Sequence, residues 1–341
     1  MKKTHQLIAL AVAATWGFNF VVIEWGLGEL PPLVLTALRF AAAALPALFL
    51  PRPSAAWRYV IAYGLALGVA KFGAVFVAID SGMPAGLASL VLQAQALLSV
   101  LLAAAVLKER PSRRQVTGIV IASLGITLLA VSSVRGAAVP LVGFSLMIFA
   151  AASWAVANVI IKASKETRPI SMLAWSALVP PLPLLGIAAL VDSPASVWDA
   201  LTHISATAWA VVAFLAFIST LACFGLWNWL IGQYGVSKVV PFSLLVPIFG
   251  ITSAWIFLGE PLTLAEGLTG LLVMAGLVLV VRPPRKEHPA VGYAQDSGPE
   301  PAHIPPREGI IDSGIAAHDY GLQGAAASPQ TAARRRKRTV T

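Results

Sequence analysis

Between Leu7 and Arg282 the chain has almost no polar breaks: ten apolar stretches follow one another with short turns between them. A bilayer core is about 30 Å thick and a helix rises about 1.5 Å per residue, so about twenty apolar residues cross it. Lipid cannot satisfy backbone N–H and C=O groups, which leaves helices or closed barrels. Barrel strands are alternating segments of roughly ten residues, whereas these runs are unbroken. The pattern predicts an all-α polytopic membrane protein with ten transmembrane helices, over 7–26, 32–50, 58–79, 84–107, 115–133, 140–161, 170–191, 206–231, 239–258 and 264–281. Prolines stand where helices should begin, at Pro31, Pro32, Pro84, Pro140 and Pro169. Lys2 and Lys3 ahead of an apolar run resemble a secretory leader. That run continues through Ile23, however, and reads as a retained first span.

Charge orients the spans. With a cytoplasmic N-terminus, Lys and Arg gather on the inner side, at 2–3, 52–58, 108–114, 162–168, 238 and 282–286, and the outer side holds Arg135 alone. This is the positive-inside bias of a membrane protein with both termini cytoplasmic. It also explains the net charge of +9, which in a soluble chain would suggest nucleic acid.

The second half echoes the first. A helix, a turn with Glu109, then Thr117-Gly118 and Gly125 are matched by a helix, a turn with Glu260, then Thr269-Gly270 and Gly276. Trp16 and Asn19 find counterparts in Trp154 and Asn158. Basic residues crowd the Glu109 turn and are absent around Glu260, so the two turns should lie on opposite sides. Five spans per copy produce that inversion, with repeats at 1–135 and 136–282, an arrangement found in secondary transporters. After Arg282 the composition turns to Pro, Gly, Ala, Ser and charge, ending in Arg334–Arg338. A tail over 283–341 is expected to be disordered and cytoplasmic, without a specific partner, although a basic cluster can also bind anionic lipid or nucleic acid.

Composition narrows the function. The chain is 58% hydrophobic and 11% charged over 341 residues, leaving little length for a soluble domain. One cysteine, Cys223, excludes an internal disulfide framework, and the five histidines lie outside the spans. No cofactor or metal site is expected. HExxH, GxSxG and P-loop patterns are absent, which argues against an enzyme and against intrinsic ATP-driven transport.

Ionisable groups within spans are costly and therefore candidates for function. Arg39 and Lys71 lie within spans two and three, and Glu24 and Asp80 lie near the outer ends of spans one and three. Arg39 and Lys71 suit a cationic lining for a solute carboxylate. The alternatives are an Arg39–Glu24 strut, an internal acceptor for Lys71, or Lys71 snorkelling to the interface. Trp16 and Asn19 share a helix face. Gln93 and Gln95, two residues apart, should not, so one is expected on the pathway and one in a helix contact. Asn158, Ser176, Ser219, Thr220 and Asn228 are further polar candidates, although such groups also serve as helix–helix glue. Prolines within spans seven and nine are candidate hinges.

The Trp16-Gly17-Phe18-Asn19-Phe20 segment, Pro31-Pro32 followed by Leu38-Arg39-Phe40, and the Glu109 and Glu260 turns together resemble the EamA-type members of the drug/metabolite transporter superfamily. The Gly82–Ala96 segment and Ser243-Leu244-Leu245-Val246-Pro247 are most similar to its bacterial branch exporting O-acetylserine and cysteine. The resemblance spans about residues 5–282. It implies a ten-helix carrier exporting small amino-acid-like metabolites by alternating access, with a small-molecule substrate, the lipid bilayer and no nucleic acid as partners. A homodimer is compatible with it. The expected substrate-binding residues are Arg39, Lys71, Trp16, Asn19, Gln93, Gln95 and Asn158, and Glu24 and Asp80 are coupling candidates. A facilitative channel and a different metabolite are the competing readings.

Overall fold

Backbone groups that cannot hydrogen-bond to lipid must pair within their own segment, and the described chain is accordingly helical. The computed structural model describes residues 1–107, 112–134, 140–261 and 263–281. Its helices are α1 (Lys3–Leu27), α2 (Pro32–Ala43), α3 (Trp57–Asp80), α4 (Ala85–Val91 continuing as Ala94–Leu107), α5 (Arg113–Val134), α6 (Leu141–Ser164), α7 (Pro169–Ser176 continuing as Pro181–Val191), a short α8 (Pro194–Thr202), α9 (Ala206–Tyr234), α10 (Val240–Leu258) and α11 (Leu264–Val281). Among the described residues seven of these, α1, α3, α4, α6, α7, α9 and α10, are long and apolar enough to cross a membrane. Glu109 and the 283–341 tail lie outside the described residues.

Helix α5 shows how lipid inverts ordinary patterning. Val116, Val120, Leu124, Leu128 and Val131, spaced three or four apart, are all exposed, while Gly118, Ala122, Gly125 and Leu129 are buried. A bare apolar stripe would be an association surface in water; here it is the face offered to acyl chains. The small-residue stripe packs on α11. A β-carbon on Gly118 would come within 2.6 Å of the Gly276 carbonyl oxygen, and one on Gly276 would meet the Gly118 carbonyl at the same distance. Close backbone approach through small residues is how helices associate without a hydrophobic driving force.

The two halves of the chain share backbone detail. Helix α5 opens with a reciprocal capping box, in which Ser112 Oγ accepts from the Gln115 N–H and Gln115 Oε1 accepts from the Ser112 N–H. Helix α11 opens the same way through Thr263 and Glu266. Helices α3 and α9 each contain a nine-residue π-helical stretch, Gly64–Phe72 and Phe214–Ala222.

The direction of the helices follows from contacts at their ends. The start of α1 meets the end of α9, where His5 Nδ1 lies 2.6 Å from the Tyr234 hydroxyl. Beyond the far end of α1, Glu29 accepts from Ser205 Oγ, just ahead of α9. Helices α1 and α9 are thus antiparallel. So are α3 and α6: the loop before α3 donates to Glu166 after α6, whereas Gly143 near the start of α6 approaches the Ala78 carbonyl near the end of α3.

Candidate functional site

A cavity of about 310 Å³ lies in the middle of the helices, at the small end of the roughly 300–1,000 Å³ range of ligand sites. Residues from α1, α2, α3, α4, α6, α9 and the α10 region line it, including Trp16, Asn19, Arg39, Lys71, Gln93, Gln95 and Asn158. All seven substrate-binding candidates therefore reach one space. Glu24 and Asp80 do not line it.

The π-helical stretches place two key groups. Lys71 and Phe72 end the stretch in α3. In α9, the Thr220 hydroxyl donates to the Leu215 carbonyl five residues back, at 2.7 Å. That hydroxyl also accepts from Arg39 Nη2 at 3.0 Å. π-Helical turns recur at functional sites because they reposition side chains at some cost in backbone geometry. Next to this region Gly68 leaves no room for a β-carbon, which would run into the Pro180 ring where α7 is interrupted.

Arg39 and Lys71 are 1% and 4% exposed. Phe72 lies between them in the electrostatic sense: its ring centroid is 4.0 Å from Arg39 Cζ and 3.1 Å from Lys71 Nζ. Lys71 Nζ is also 4.6 Å from the Trp154 ring. Arg39 Nε and Nη1 are buried without a hydrogen-bond partner, as is Asn19 Oδ1. The described contacts of Arg39 are thus Thr220 and aromatic rings rather than a strut to Glu24, and Lys71 is held among rings instead of snorkelling. A desolvated ring face returns about 2 kcal/mol to a cation, whereas burying an ion costs several kcal/mol. Among the described residues no Asp or Glu lines the cavity to make up the difference. An incoming anion would.

The polar wall opposite is already knitted together. Asn158 Nδ2 donates to Gln95 Oε1 and to Ser99 Oγ, both at 3.1 Å. Gln93 Nε2 donates to the Ser243 carbonyl at 3.4 Å, and Trp16 Nε1 to the Ser219 carbonyl at 3.1 Å. The expectation that Gln93 and Gln95 face different ways is corrected here: both line the cavity, because α4 is broken at Leu92 and Gln93 between Val91 and Ala94. Ser219 lines the cavity, Thr220 sits behind it holding Arg39, and Ser176 and Asn228 are outside the lining. Sequence reasoning left out Phe72, Trp154, Trp227, Ser89 and Ser243 as lining residues. The echo of Trp16 and Asn19 in Trp154 and Asn158 was the signal available for Trp154.

Two carboxylates tie loops at the ends of the bundle. Glu260 accepts from the N–H groups of Ala85 and Gly86, at 2.7 and 3.0 Å, satisfying free donors at the start of α4. Glu166 accepts from Ser54 Oγ and from the N–H groups of Ala55, Thr167 and Arg168.

Apolar helices exposing their greasy faces around a solute-sized, cation-lined cavity define an integral membrane protein of the polytopic helical class. The chain matches the EamA-like transporter family over residues 4–131 and 141–282, one match per half, and it belongs to that family. It is 41% identical over 286 residues to a "Probable amino-acid metabolite efflux pump" of Escherichia coli, covering 82% of this chain and 96% of the relative. The protein of that name in Salmonella typhimurium is equally similar. A "Probable terminal-alkyne amino-acid exporter" of Streptantibioticus cattleyicolor is 29% identical over 307 residues, covering 83% and 95%. A crystal structure aligns with a TM-score of 0.54 at 19% identity, covering 82% of this chain and 98% of the other. That is a likeness of fold alone.

Proposed function

We propose that the chain is a secondary carrier exporting small amino-acid-like metabolites, with the substrate carboxylate taken at the Arg39 and Lys71 end of the cavity. The observation that carries this reading is the pair of buried cations on a wall that, among the described residues, has no carboxylate. Arg39 Nε and Nη1 are buried without an acceptor, and a carboxylate supplies one. Phe72 is the ring that must yield to admit it. The names of the relatives, amino-acid metabolite efflux and amino-acid export, point the same way.

The carrier crosses the membrane ten times in two inverted halves, 1–135 and 136–282, with both termini and the 283–341 tail in the cytoplasm. Paired capping boxes and paired π-helical stretches support the repeat. The antiparallel pairing of α1 with α9 and of α3 with α6, each a first helix of one half against the third of the other, supports the inversion. Rocking of the halves about the shared cavity exposes it to either side in turn.

The test is counterflow. Full-length protein in proteoliposomes is loaded with a panel of amino-acid metabolites, O-acetylserine, cysteine and N-acylated amino acids among them. Saturable exchange is expected, and Arg39→Ala should lower it at least about tenfold, the weight of one charge-assisted hydrogen bond, while the protein stays folded and monodisperse. Linear flux that is equal in Arg39→Ala would overturn the reading.

A further inference from the structure

We infer that the preferred substrate is a net anion, an amino-acid derivative whose amine is acylated or which carries a second acid group, rather than a zwitterionic amino acid. This rests on the carboxylate-binding reading of the cavity and narrows it.

The charge pattern of the cavity leads to this conclusion. Arg39 Cζ and Lys71 Nζ flank one phenyl ring, so they are no farther apart than their two distances to its centroid combined. A carboxylate settling on the Phe72 side of Arg39 is therefore also near Lys71. In a zwitterion the α-ammonium follows within two bonds of that carboxylate and meets the second cation, with no Asp or Glu among the described residues of the wall to receive it. Like charges in a low-dielectric space repel strongly.

Among the described residues Asn19 Oδ1 is a buried acceptor without a partner. It suits the single N–H of an amide. The apolar walls, with Trp16, Trp154 and Trp227 among them, suit the acyl group.

O-Acetyl-L-serine and N-acetyl-L-serine are isomers that differ in whether the amine is free. Binding of each to the full-length protein in detergent is read by tryptophan fluorescence, since three tryptophans line the cavity, and by calorimetry. Work at about pH 6 keeps the ammonium protonated and suppresses acyl migration. N-acetyl-L-serine is expected to bind at least about tenfold more tightly, the equivalent of one uncompensated polar group. In Lys71→Gln the gap should narrow to about threefold or less, with the zwitterion gaining. Equal or tighter binding of O-acetyl-L-serine to the wild type overturns the inference and leaves the carboxylate site standing. No binding of either isomer, or binding unchanged in Arg39→Ala, overturns both.

Discussion

The carbonyl oxygens of Gly118 and Gly276 each lie 2.6 Å from the point that a β-carbon would occupy on the other residue. This reciprocal contact holds α5 to α11 backbone against backbone. Gly118→Leu and Gly276→Leu should each prevent the approach and lower the thermal midpoint of the purified protein by a similar amount. Gly186, with nothing within 4 Å of its β-position, is the control: Gly186→Ala should be neutral or stabilising by about 0.5–1 kcal/mol. A normal midpoint in both leucine variants would show that the contact contributes nothing.

Thr220 accepts from Arg39 Nη2, and in the proposed carboxylate site it positions that guanidinium. Thr220→Val removes the acceptor of a charged donor, a loss of about 1.5–3 kcal/mol, and should raise the KM for carboxylate substrates about tenfold or more. Thr220→Ser keeps the hydroxyl and should restore wild-type KM. Equal KM values in the valine and serine variants would remove Thr220 from the site.

Glu166 gives a defined pH dependence. Burial pushes its carboxyl up, but hydrogen bonds from Ala55, Arg168, Ser54 and Thr167 outweigh that and hold it below the ordinary value. A carboxyl lowered by folding contributes stability above its unfolded pKa, about 4.3, and loses it as pH falls through the lower folded value. The stability gap between wild type and Glu166→Gln should be constant from about pH 7 to about pH 5 and close below about pH 4. A gap that widens on acidification would contradict the hydrogen-bonded carboxylate.

Topology is checked by thiol labelling in whole cells. The native Cys223 is buried and can be replaced by Ser as background. Cysteines at Ser54 and Thr167, which share the Glu166 contact, should react only from the cytoplasm. Cysteines at Glu29 and His203 should react only from outside. One compartment for all four would end the proposed arrangement.

Much of the fold was legible because membrane insertion writes itself in unbroken apolar runs. The expected span at 206–231 corresponds to α9 at Ala206–Tyr234, and that at 264–281 to α11 at Leu264–Val281. The polar candidates were legible for a related reason: an Asn, Gln, Arg or Lys in lipid needs a partner, and a shared cavity is where they meet. The break in α4 was not legible, since neither Pro nor Gly stands at Leu92 or Gln93 to announce it. The π-helical stretches were equally silent, because hydrogen-bond register is a backbone property that leaves no side-chain period. The role of Thr220 depends on that register, and so was hidden with it.

The most direct measurement is a structure of the full chain in lipid nanodiscs with a transported carboxylate bound. The substrate's acid group should lie against Arg39 and within reach of Lys71, with Phe72 turned aside from its present position over both cations. Substrate seated elsewhere, with Arg39 and Lys71 still covered by Phe72, would contradict the account.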